Sequence, residues 1–216
     1  LDLLLRTHAF RFSDNLYANG LLHCAPGVVG TAISGWAPAL ALPLHLIPAL
    51  SYYLESTRQA YLGRRLLGFK PSQNILGIAP ATTPEPTLRI VLCAHVDAAF
   101  TGFFFWPGTL KAIAKDPPLG IEAIHRSAEL TVTTQFMLAG IDLLRILAGP
   151  FTLALPLRPL EWLLTLPSIA STAGFLDVVI RNTVVPGAND DLSGVAALPL
   201  LARRLVARKP PEVELV

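Results

Sequence analysis

Two short stretches carry side chains that could hold a metal. The first is His95-Val96-Asp97, which closes the apolar run 88–94 (LRIVLCA). The second is Gly187-Ala188-Asn189-Asp190-Asp191, ahead of a helix-like pattern over 195–208. A histidine and an aspartate at i and i+2 of a strand point to the same side, so Asp97 can orient the His95 ring while the other ring nitrogen takes a cation. Consecutive carboxylates at a helix start can divide their roles, one capping the helix and the other facing a cation. Each stretch alone is equally an ordinary polar strand end or helix cap. Their pairing in one chain is more specific than either half.

These residues need elements to position them. Residues 72–81 and 88–94 read as strands, the second as a run of the kind buried on both faces of a sheet. Residues 6–13 read as an earlier strand, 195–208 as a helix that turns from apolar to basic, and 212–216 as the start of another strand. This pattern predicts an α/β fold, in which ligands bind at the carboxyl ends of central strands.

The remainder is too apolar for one ordinary soluble domain. Of 216 residues, 52% are apolar and 15% are charged, against about 25% charged in typical soluble domains. That excludes a disordered chain, and a net charge of +2 without a basic stripe argues against a nucleic-acid partner. No charge occurs between Asp14 and Glu55. Those forty residues suffice for two membrane passes of about twenty each, so 15–54 is expected to be a transmembrane hairpin bending within 30–38. The basic excess after it would put that side in the cytoplasm. His23 and His45, inside the run, read as satisfied core residues. A second apolar region, 102–180, reads as a membrane-associated insertion, spanning or lying in the interface. Within it Asp142 and Arg145, three apart, are expected to pair on a helix. The aromatic cluster at 102–107 suits either a headgroup anchor or a plain core. Cys24 and Cys93 both read as small buried hydrophobes.

The segments SQNILGIAP, LRIVLCAHVD and PGANDDLSGVAALPLLARRL resemble the co-catalytic zinc aminopeptidases of metallopeptidase family twenty-eight, which includes glutamate carboxypeptidase. The resemblance covers 68–101 and 181–216 as a metal-site core. It implies a partial, mixed-sheet α/β zinc-peptidase domain over 1–216, interrupted by apolar helical hairpins. By the same resemblance His95 is a zinc ligand, Asp190 bridges two zinc ions, and Asp97 is the catalytic supporting carboxylate. Asp191 and Ser193 would shape the loop. The implied activity is that of a multi-pass, membrane-anchored exopeptidase in which a zinc-activated water attacks peptide substrates. The alternative is a membrane-anchored binding module on the same fold without catalysis, as in the transferrin receptor and nicastrin relatives.

Two departures from the family pattern stand out. The histidine and the bridging aspartate are 95 positions apart, where typical members have a short loop, and Pro199 falls inside the helix that follows the motif. The family's general base is the first of two adjacent glutamates at the end of the next strand. Glu212 and Glu214 are not adjacent, so the base is expected beyond residue 216 and the stretch 1–216 is expected to be inactive by itself.

Overall fold

The computed structural model describes residues 3–103, 106, 108, 120–149 and 157–216, with the backbone alone described at 120–125, 189 and 190. Helices predominate and the sheets are small, an arrangement compatible with the α/β class. The chain divides into two compact units. One comprises Leu1–Phe12, Lys70–Phe100 and Thr183–Val216; the other comprises Ser13–Phe69 and Thr101–Asn182.

In the first unit, β1 (Leu4–Phe12) runs antiparallel to β2 (Lys70–Ile78), in register from Leu4 opposite Ile78 to Phe12 opposite Lys70. A second pair, β3 (Leu88–Ile90) and β4 (Val213–Leu215), is parallel. Parallel strands need a long crossover, and this one includes the helix Ser193–Val206. A bridge between Ala79 and Leu215 links the end of β2 to β4. The apolar run 88–94 yields a strand only three residues long, and its side chains are exposed, Leu88 by 53%. The reason lies in the pairing: among the described residues β3 pairs with β4 alone, in a two-stranded sheet too small to bury both faces of β3. Apolar composition therefore marked where the strand is but not how far it is covered.

The second unit is helical: α1 (Leu16–Ser34), α2 (Pro38–Ser56), the short α3 (Leu62–Leu67), α4 (Gly120–Ala148) and α5 (Arg158–Arg181). Numbered on, the helix of the first unit is α6 (Ser193–Val206). The chain turns between α1 and α2 at 35–37, with Pro38 opening α2, where a missing amide hydrogen does no harm. Helix α2 packs on α4, α1 on α5, and α4 on α5, which closes a four-helix bundle. Pro43 and Pro48 lie inside α2 and Pro26 inside α1, each removing a helical hydrogen bond that packing must offset.

The bundle has the polarity of a soluble protein reversed. Its fully buried positions include His23, Thr31, His45, Gln135, Asp142, Glu161 and Thr165, whereas Leu40, Ile47, Leu144, Leu147, Leu163 and Ile180 are more than half exposed. The described helices long and apolar enough to cross a membrane are Arg126–Ala148 and Arg158–Arg181, which occupy the second apolar region and end one residue beyond it. The helices of the uncharged stretch 15–54 are α1 and α2, both with prolines inside. Each of these helices has 19 residues, about 28 Å at 1.5 Å per residue and close to the thickness of a bilayer core.

Other expectations are also corrected. Cys24 is buried, but Cys93 is exposed. Asp142 and Arg145 do not pair with each other; partners from other helices claim both. Of the aromatic cluster at 102–107, residues 104, 105 and 107 lie outside the described residues. Trp106 is half exposed, with the Arg181 guanidinium 5.6 Å from its ring.

Candidate functional site

The segment after β3 and the segment before α6 run side by side. The Val185 amide donates to the Ala99 carbonyl at 3.0 Å, and Phe100 bridges to Val184. The chain then bends at Gly187, whose φ of 70° is a left-handed conformation that favours glycine, and enters a single π-turn, Ala188–Leu192, before α6. From this turn the Asp191 carboxylate accepts the His95 backbone N–H at 3.2 Å. Residues 96 positions apart thus meet in the irregular segment that follows β3, since the strand stops at Ile90 short of the expected 94. Gly194 makes room for this contact, because a Cβ there would sit 2.7 Å from the Asp191 carboxyl carbon. Among the described side chains none caps α6 at Leu192, and Asp191 reaches His95 instead.

At His95 the ring Nδ1 lies 3.1 Å from the Asp97 carbonyl and 3.3 Å from its carboxylate Oδ1. Both are acceptors, so Nδ1 carries the proton and the lone pair falls on Nε2. This is how an oriented histidine ligand is prepared for zinc. The His95 side chain is half exposed and that of Asp97 is 89% exposed, so solutes reach both. Asp190 lies on the π-turn beside Asp191; its side chain is outside the described residues. Imidazole nitrogen and carboxylate oxygen are zinc donors, so the residue types fit that metal. Among the described residues no three His, Cys, Asp or Glu side chains converge as a metal cluster.

The helical unit holds a second concentration of reactive groups. His45 Nδ1 is 2.7 Å from Asp142 Oδ2, and its Nε2 is 3.0 Å from the Gly27 carbonyl and 3.1 Å from the Thr31 hydroxyl. Ser34 donates to Asp142 and accepts from Arg145 at 2.6 Å. Arg145 in turn pairs with Glu161, whose other carboxylate oxygen is 3.0 Å from Arg158. Serine, histidine and aspartate are also the components of a hydrolytic triad. Their connection here is different, because Ser34 bonds to the aspartate while the far imidazole nitrogen faces a backbone carbonyl. A second group surrounds Glu55, which receives the Asn19 amide at 2.8 Å and pairs with Arg64 at 3.3 Å. His23 stands beside it, 2.9 Å from the Ser51 hydroxyl and stacked on Tyr52.

Sequence reading located the two histidines but missed Glu55, Glu161 and the joint network. Its one available signal was the excess of Ser, Thr, His and Gln on helices otherwise made of leucine. Compared with family models, curated proteins and solved structures, the chain matches none.

Proposed function

We propose that this chain belongs to a multi-pass membrane-anchored, zinc-dependent exopeptidase of the aminopeptidase type. The observation that carries the reading is the contact between the His95 amide and the Asp191 carboxylate, which joins the H-x-D and N-D-D stretches. His95 and Asp190 would hold zinc, two ions in the intact site. Asp97 would orient the imidazole through Nδ1 and leave Nε2 to a metal, and Asp191 ties the segment after β3 to the turn that carries Asp190. Zinc, when bound, acts as a Lewis acid that acidifies water and polarises a peptide carbonyl. The membrane part of the proposal draws on the reversed polarity of the bundle, since leucines facing outward from a polar interior call for an apolar solvent.

Zinc binding separates this reading from that of a non-catalytic module. Competition with a chelating dye, on the full chain in detergent, is expected to show zinc retained at neutral pH. The His95→Ala variant is expected to lose it, and Asp97→Ala to weaken it by about 10–100-fold, as for a residue that orients a ligand. A chain whose zinc affinity is nil, or unchanged in both variants, is the non-catalytic module.

A further inference from the structure

We propose that the helical unit conducts protons along its polar axis, with His23 and His45 as the carriers. The proposal rests on the membrane reading above. It starts from placement: the two buried polar groups lie one after the other along α1, from Asn19 and His23 to Thr31 and Ser34, and each reaches a partly exposed arginine.

At one end is Arg64, 36% exposed at its side chain, bound to the 4% exposed Glu55. A Glu55 oxygen lies 4.0 Å from His23 Nε2, which also meets the Ser51 hydroxyl. The His23 carbonyl accepts the Gln135 amide at 2.8 Å, and the same amide reaches the Ser168 hydroxyl at 3.1 Å. Gly27 lies between the two groups. Its Cα faces Gln135 so closely that a Cβ would stand 2.8 Å from the amide nitrogen, while its carbonyl receives His45 Nε2. Beyond His45 the line continues through Asp142, Ser34, Arg145 and Glu161 to Arg158, 38% exposed. Among the described residues Gln135 Oε1 and His23 Nδ1 are buried polar atoms of this line without a hydrogen-bond partner.

The groups along this line suit proton transfer better than simple cohesion. Hydrogen bonds between membrane helices each contribute little to association, and buried ion pairs are often matched or bettered by apolar residues of similar size. Three buried acids, two imidazoles and one buried arginine are therefore more than the bundle needs to associate. Ionisable residues inside a membrane mark ion or proton paths by default. His45 has an acceptor at each ring nitrogen, the Asp142 carboxylate at Nδ1 and the Gly27 carbonyl at Nε2. A ring in this position takes a proton at Nδ1 from Asp142 and releases the other from Nε2 to the Thr31 hydroxyl, which passes its own proton to Thr165, so one proton enters and one leaves. From α1 it faces Thr31, from α4 Asp142, and from α5 Thr165 through Thr31. His23 faces Glu55 and Tyr52 from α2, and Arg64 lies across Glu55 on α3. Hydroxyls that both donate and accept, on Thr31 and Ser51, flank the two rings.

The test reconstitutes the full chain in phosphatidylcholine vesicles loaded with a pH-sensitive dye, with valinomycin and potassium clamping the potential. A pH step is expected to collapse faster than in protein-free vesicles, and His45→Gln is expected to slow the collapse about tenfold or more. Ser51→Ala, which removes one uncharged hydroxyl beside the other ring, is expected to slow it as well and keeps the test open if His45→Gln does not fold. Vesicle flotation separates the two claims. A chain that floats with the vesicles yet leaks no faster than bare lipid overturns proton conduction alone, as do folded variants with wild-type flux. A chain that does not float overturns the membrane reading with it.

Discussion

Replacing Glu161 by alanine is expected to lower the unfolding free energy of the helical unit by about 3–5 kcal/mol, the usual effect of removing one partner from a buried charge pair. The size follows from what the carboxylate holds. Its side chain is fully buried, one oxygen pairs with Arg145 and the other with Arg158. Arg158 is 38% exposed and can turn toward solvent or headgroups, but Arg145 is 8% exposed and would be left as an uncompensated cation. The double variant Glu161→Ala with Arg145→Leu is accordingly expected to recover part of the loss, because removing both charges also removes their desolvation. Denaturant unfolding in detergent micelles, followed by far-ultraviolet circular dichroism, gives both numbers. Equal losses in the single and double variants would show that the charge itself is not what the fold guards against.

The second large effect is expected at Asp142, where two substitutions separate charge from hydrogen bonding. Leucine removes the acceptor of both His45 Nδ1 and Ser34 Oγ, groups that are fully or almost fully buried, and is expected to destabilise by about 3–5 kcal/mol. Asparagine keeps one acceptor oxygen in place but turns an amide toward the other donor, so its loss is expected near 1–3 kcal/mol. The same micelle unfolding measurement ranks them. Asp142→Leu as stable as the wild type would mean that the network adds nothing to the fold.

Much of this arrangement could be read from residue types, and the failures have a common origin. The bend between α1 and α2 was legible because Gly35 and Pro38 punctuate an otherwise unbroken apolar run. Helix α6 was legible because a Gly-Ala-Asn-Asp turn precedes a periodic pattern. What local spacing could not supply was the identity of partners across helices. Asp142 and Arg145 are correctly placed to pair by the three-residue rule, yet Asp142 is taken by His45 of α2 and Arg145 by Glu161 of α5. Arg158 and Glu161, two further charges within the second apolar region, form a bonded pair. Cys93 looked like core because its neighbours are apolar, and it is exposed because β3 ends at Ile90. At the candidate metal site the residue types of the H-x-D and N-D-D stretches were plain. That Asp191, rather than a helix cap, ties the two together depends on a glycine at 194 whose role no spacing rule encodes.

The membrane character of the helical unit is the claim on which most of this rests, and the outward face of the bundle tests it most directly. Nitroxide labels at Leu46→Cys, Leu144→Cys and Leu163→Cys, each in a Cys93→Ser background in phospholipid nanodiscs, report what surrounds those exposed positions. The buried native Cys24 is shielded from the label, and exposed Cys93 in the otherwise unaltered chain provides the aqueous standard. All three bundle labels are expected to collide with dissolved oxygen in preference to a water-soluble nickel chelate, with the opposite preference at Cys93. Nickel preference at all three leucine positions would mean that water surrounds the bundle, and would contradict a membrane-embedded unit.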